Sequence, residues 1–121
     1  MAVILIVEDD FFIRELCELT IKGWGHRTLV ASDVDEALFL LGSDEEVDIL
    51  FTDIYLKKRV LGGCELAQEA VVLRPNLRVL YTTGNFISNA MRSLFLGDSV
   101  CLAKPYTPEQ LEHSLGDLLV A

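Results

Sequence analysis

The sequence predicts an α/β domain built as a doubly wound, five-stranded parallel sheet. Three observations predict it. Five short apolar runs recur along the chain, at 2–7, 26–31, 47–52, 77–82 and 99–103. Several are apolar at consecutive positions, as expected of strands buried on both faces. Between the runs lie longer stretches with helical periodicity, and strand-helix alternation calls for right-handed crossovers that put helices on both sides of the sheet.

Taken in order, the first run "AVILIV" ends in three acids, Glu8, Asp9 and Asp10. A helix is expected over 11–22, with Phe12, Leu16 and Leu19 on one line and Ile13 and Cys17 on the next. Asp10 suits its N-cap better than a metal site, and Gly23 and Gly25 stop it. The second run, "HRTLVA", leads into a helix capped by Ser32 or Asp33 and ended by Gly42. The third, "VDILFT", ends at Asp53, and a helix beginning "GCELAQEA" closes before Pro75. The fourth, "LRVLYT", runs into Thr82 and Thr83, followed by a weaker helical pattern over 85–97. The fifth, "SVCLA", ends at Lys104-Pro105. The last helix then opens with Thr107 as cap, Pro108 in its first turn and Gln110 at the capping-box position.

Composition narrows the function. A chain of 121 residues suits one domain, and 51% hydrophobic residues are too many for disorder. No apolar run approaches membrane-spanning length, and "MAVILIVEDD" lacks the basic start of a signal peptide. The net charge of −9 opposes direct nucleic-acid binding. Cys17, Cys64 and Cys101 show neither CxxC nor zinc spacing, so they read as buried, reduced thiols of a cytoplasmic protein. His26 and His113 stand without a nucleophile or metal partner, and Trp24 reads as packing at a sheet edge.

In open parallel sheets, ligands sit beyond the carboxyl ends of the strands. If strands one, three, four and five are neighbours, that end gathers Glu8, Asp9, Asp53, Thr83 and Lys104. Clustered carboxylates repel one another unless a hard cation lies among them, and Mg²⁺ takes oxygen ligands of this kind. Lys104 would balance further negative charge, and Thr83 can donate to an oxyanion. The set suits phosphoryl transfer onto a carboxylate.

At this point the chain resembles the receiver domain of two-component response regulators. The resemblance rests on the acids after strand one, the Asp after strand three, the Thr after strand four and the Lys-Pro after strand five, and it covers essentially all of 1–121. It implies a flavodoxin-like (βα)5 fold with strand order 2-1-3-4-5, a single receiver domain and no effector domain in this chain. It implies Asp53 as phosphoacceptor, charged by a sensor histidine kinase or histidine phosphotransfer protein. Asp9, Asp53 and the backbone carbonyl of Tyr55 would ligate Mg²⁺, with Glu8 reaching it through water. Thr83 and Lys104 would bind phosphoryl oxygens, and Lys104–Pro105 would be cis. The face formed by helix four, strand five and helix five, about 86–119, would meet a downstream protein.

The chain also departs from the family pattern. Cys101 stands where an aromatic switch residue is usual, and Tyr106 where a core Phe is common. "YTTGN" is similar to a receiver subgroup with an F-A-T-G type motif that lacks that aromatic. The segment after Asp53, "IYLKKRVLGG", is a residue or two longer than usual. Its Lys57, Lys58 and Arg59 either form a solvated loop or meet a partner. Tyr55 and Asn85 hold the positions that tune dephosphorylation, and their identities imply a slow to moderate rate. A phosphorylation-independent pseudo-receiver is the alternative. A flavodoxin-type cofactor binder is disfavoured because the acids after strand one repel phosphate. A haloacid-dehalogenase-type phosphatase would need D-x-D, but Ile54 and Tyr55 follow Asp53.

Overall fold

The computed structural model describes residues 1–120 other than Lys58, Val60, Phe86 and Asp98. Five parallel strands, β1 (Val3–Val7), β2 (Arg27–Ala31), β3 (Ile49–Asp53), β4 (Arg78–Thr83) and β5 (Val100–Ala103), form one sheet in the order β2-β1-β3-β4-β5. This is the predicted doubly wound, flavodoxin-like (βα)5 order. Strands β1 and β3 are buried at all five positions, which is why β1 is a continuous apolar run and β3 opens as one, without polar alternation.

The helices are α1 (Phe11–Gly23), α2 (Val34–Leu41), α3 (Gly62–Leu73), α4 (Asn89–Arg92) and α5 (Pro108–Leu119). Two clusters of buried side chains mark the two faces of the sheet. One joins Leu5, Leu50, Val79 and Tyr81 to α2, α3 and Met91, and the other joins Ile4, Ile6, Phe51 and Leu80 to Cys17 and Ile21 of α1 and to α5.

Local chemistry fixes the helix starts. Asp10 accepts from the amides of Phe12 and Ile13, and Asp33, not Ser32, caps α2 by accepting from Glu36 N. Thr107 and Gln110 complete the expected capping box on α5. Helix α1 ends at Trp24 and the chain turns at Gly25, whose φ of 90° suits glycine.

Two expectations give way. The line Phe12, Leu16 and Leu19 faces solvent, with exposures of 81%, 67% and 67%, while Cys17 and Ile21 face the sheet. Among the described residues of the pattern over 85–97, only α4 is helical. Beyond it, Leu94 N and Phe95 N make single turns onto Met91 O and Arg92 O, and the Phe95 ring stacks on Tyr81 with centroids 4.6 Å apart. Burying that ring outweighs continuing the helix.

The amino-terminal edge of the sheet is braced by backbone amides that donate to side chains and carbonyls. Ala2 N donates to His26 Nδ1, Val3 N to Asp48 Oδ2, Arg27 N to Ala2 O and Asp48 N to Val3 O. Arg74 reaches from the end of α3 to the carbonyls of Leu41, Ser43 and Glu45, tying down the turn after α2. Among the described residues, no helix is long and apolar enough to cross a membrane.

Candidate functional site

The site lies at the carboxyl edge of the sheet, where β1, β3, β4 and β5 end side by side. Asp53 is the last residue of β3 and only 8% exposed. The backbone of α3 presses against it: Gly63 N donates to Ile54 O, and a Cβ built on Gly63 would lie 2.1 Å from Asp53 O. The sequence signals this approach only as the pair Gly62-Gly63. Nothing larger than hydrogen fits at the second of them.

The peptide Lys104–Pro105 is cis, as expected. Lys104 Nζ donates to Asp53 Oδ2 and to Glu8 Oε1, each at 3.0 Å, so one ammonium spans the ends of β1 and β3. An ammonium carries three donors, and one stays available for an incoming anion. Glu8 is 5% exposed. Burial, partly offset by its hydrogen bond to Lys104, raises its pKa to about 6. Burial works to lower the pKa of Lys104, but its hydrogen bonds to Glu8 and Asp53 win and hold it above the usual lysine value.

Glu8, Asp9 and Asp53 can bring one carboxylate oxygen each within 4.8 Å of one another. Three carboxylates facing one ammonium leave negative charge uncompensated, and an all-oxygen donor set fits a hard cation. Asp10 turns away to cap α1, as expected. A contact without a sequence signal engages Asp9: its Oδ2 accepts from Lys57 N at 2.7 Å. Backbone amides carry no signature in a sequence, so only the fold could reveal it.

Thr83 is the last residue of β4 and 1% exposed. Its hydroxyl oxygen accepts from Asn85 N at 3.1 Å, which leaves the hydroxyl hydrogen free to donate. Thr82 faces the opposite side of the strand, and its buried hydroxyl has no protein partner among the described residues.

At the position where an aromatic residue was expected, Cys101 pairs in register with Tyr81 on β4. Tyr81 is fully buried, stacks on Phe95 and accepts weakly from Leu96 N at 3.4 Å. Burial pushes its phenol to about 12 and raises the Cys101 thiol. Here the aromatic mass comes from β4 and the segment after α4, not from β5. On the opposite face Tyr106 packs on Phe51 and its Oη lies 3.2 Å from Cys17 Sγ, so a polar contact replaces the expected core Phe. Tyr55 packs against the α2–α3 side of the core. In the loop after Asp53, Lys57 and Arg59 are exposed, and Lys58 lies outside the described residues.

Comparison with known families decides the lineage of this arrangement. The family model for the response regulator receiver domain matches residues 4–116. The chain belongs to that family. A receiver structure from Sinorhizobium medicae WSM419 superposes with a TM-score of 0.90 at 28% identity, covering 99% of this chain and 95% of that one. A CheY-like receiver domain from Methanospirillum hungatei JF-1 superposes at 0.89 with 26% identity, covering 99% and 94%. Among full-length relatives, this receiver is 30% identical over 116 residues to the probable transcriptional regulator ycf27 of Guillardia theta. That match covers 96% of this chain and 44% of the relative. The response regulator SaeR of Staphylococcus aureus is 25% identical over 120 residues, covering 98% and 51%. The chain thus spans about half the length of these two relatives, or less.

Proposed function

We propose that this receiver, one unit over 1–121, takes a phosphoryl group onto Asp53 from a histidine kinase or histidine phosphotransfer protein. The observation that carries the reading is the single Lys104 ammonium bridging Asp53 and Glu8 beside the Thr83 hydroxyl. Asp9, Asp53 and the Tyr55 carbonyl would hold Mg²⁺, with Glu8 reaching it through water. The ion supplies charge neutralisation for the transferring group.

The residues of the chain do the rest. An Asp53 oxygen attacks phosphorus, the P–N bond to the donor imidazole breaks, and its electron pair leaves with the imidazole. Lys104 turns from its carboxylate partners toward one equatorial oxygen, and the free Thr83 hydrogen donates to another. The acyl phosphate brings roughly −1.5 to −2 charges if it resembles phosphoserine. Drawing Thr83 inward then moves the backbone that leads to the face of α4, β5 and α5, where a downstream protein binds. Converting that face from mostly off to mostly on takes about 5 kcal/mol of differential stabilisation. A few charge-assisted hydrogen bonds supply that order of energy. Tyr55 shields the anhydride from water, and Asn85 has no charge with which to activate one. Self-dephosphorylation is therefore slow to moderate, and Tyr55→Ala shortens the lifetime of the phosphorylated form.

The test is an amide NMR titration with Mg²⁺ and then beryllofluoride, on wild type and Asp53→Asn. Shifts at Asp9, Asp53, Thr83 and Lys104 that spread through 87–105 and vanish in the variant are expected. Silence toward both ligands would overturn the reading and leave a phosphorylation-independent interaction module.

A further inference from the structure

The loop joining β3 to α3 is fastened to the site in a way that gives it a role. Leu56, 5% exposed, is seated in the core, and it pairs with Arg59 through two backbone bonds, Leu56 N to Arg59 O at 3.2 Å and Arg59 N to Leu56 O at 3.0 Å. Arg59 reaches both neighbouring helices, with NH1 3.4 Å from Glu65 Oε2 and NH2 3.8 Å from Asp35 Oδ1. Between these anchors Lys57 offers its amide to Asp9, 48 residues back in the chain, at 2.7 Å. The bond closes one side of a cleft of about 250 Å³ bounded by Asp9, the 32–35 turn and Leu56, Lys57 and Arg59.

An amide donor and a cation make the same demand on a carboxylate, since each draws on its negative charge. Closing the loop and binding a cation therefore oppose one another, and linkage makes the opposition mutual.

We propose that this loop is a metal-linked latch. The Lys57 amide competes with a divalent cation for Asp9, so that cation binding releases the loop beside Asp53 and loop closure weakens the cation. This rests on the reading of Asp9 as a metal ligand given above. The latch makes the state of the loop, and with it the contacts of Arg59 to α2 and α3, a report of metal occupancy before any phosphoryl group arrives.

The experiment compares Mg²⁺ affinity, by amide NMR titration, in Lys57→Pro and Lys57→Ala. Both lack the ammonium, and only proline lacks the N–H. Lys57 has a negative φ and directly follows Leu56 in the turn, the position proline accepts. Removing a hydrogen bond of this kind shifts an equilibrium by roughly three- to tenfold, so Lys57→Pro binds Mg²⁺ that much tighter than Lys57→Ala. Equal or weaker binding overturns the latch. Wild type gives a second readout that requires no variant to fold: hydrogen exchange at the Lys57 amide quickens by a similar factor at saturating Mg²⁺. Unchanged exchange overturns the latch while leaving the metal site standing. Absence of saturable Mg²⁺ binding in wild type overturns both.

Discussion

Gly63→Ala offers a sharp test of how the strand that ends at Asp53 is held. The added methyl would lie 2.1 Å from Asp53 O, 2.8 Å from Ile54 Cα and 2.9 Å from Asp53 C, all backbone atoms that cannot swing aside. Reaching an ordinary contact requires α3 to retreat by roughly 1 Å. Overpacking of this kind costs about 1–3 kcal/mol. The retreat also strains the hydrogen bond from Gly63 N to Ile54 O, now 3.0 Å, for about 1 kcal/mol more. Against that, alanine is favoured over glycine in a helix by about 1 kcal/mol. The net is a loss of about 2 kcal/mol, a sizeable part of the roughly 5–15 kcal/mol that holds a domain together. Gly116 in α5 has nothing within 4 Å of the same added methyl, so Gly116→Ala gains about 1 kcal/mol by the helix term alone. Urea denaturation followed by circular dichroism reads both. If Gly63→Ala is as stable as wild type, or gains as Gly116→Ala does, the close packing of α3 on Asp53 is wrong.

Three further outcomes can be measured. Glu8 has its pKa raised to about 6 in the fold, so the cost of ionising it is fully present above pH 6 and disappears as pH falls toward its ordinary value of 4.5. With chelator present, Glu8→Gln should therefore gain about 1 kcal/mol on wild type between pH 5 and pH 8, and a flat difference in urea midpoints would refute the shift. Asp10→Ala strips the acceptor from Phe12 N and Ile13 N and should cost about 1 kcal/mol in thermal unfolding, with Asp10→Asn recovering most of it. Phe95→Ala removes the ring stacked on Tyr81 and should cost about 2 kcal/mol, below the usual range for a fully buried ring because Phe95 is half-buried; near-ultraviolet dichroism would show the loss of the stack.

The carboxyl edge of the sheet was legible because its chemistry is written in side chains. Asp53, Thr83 and Lys104 each follow an apolar run, and a parallel sheet leaves such residues nowhere to go but the edge. The packing of α1 was less legible. Phe12, Leu16 and Leu19 and the line through Cys17 both satisfy helical spacing, and periodicity cannot choose between two apolar lines on one helix. The reading of 85–97 held only over Asn89–Arg92, since a partner outside the segment, Tyr81, draws Phe95 away. The hold of Lys57 on Asp9 was invisible because its donor is backbone. Where Cys101 breaks the family pattern, the sequence announced the gap but not the residues that fill the space around it.

The two edges of the sheet are fastened by different kinds of bond. The amino-terminal edge relies on amides donating to His26, Asp48 and backbone carbonyls, while the other edge depends on one ammonium shared between two acids. A phosphoryl group on Asp53, as proposed above, would compete for that ammonium and leave the far edge untouched. The domain thus contains its own stationary frame. A dye attached at exposed Asn76 should report a constant signal, and one at exposed Asn85 a changing one, so their ratio would turn the receiver into a self-referenced sensor of its own charge state.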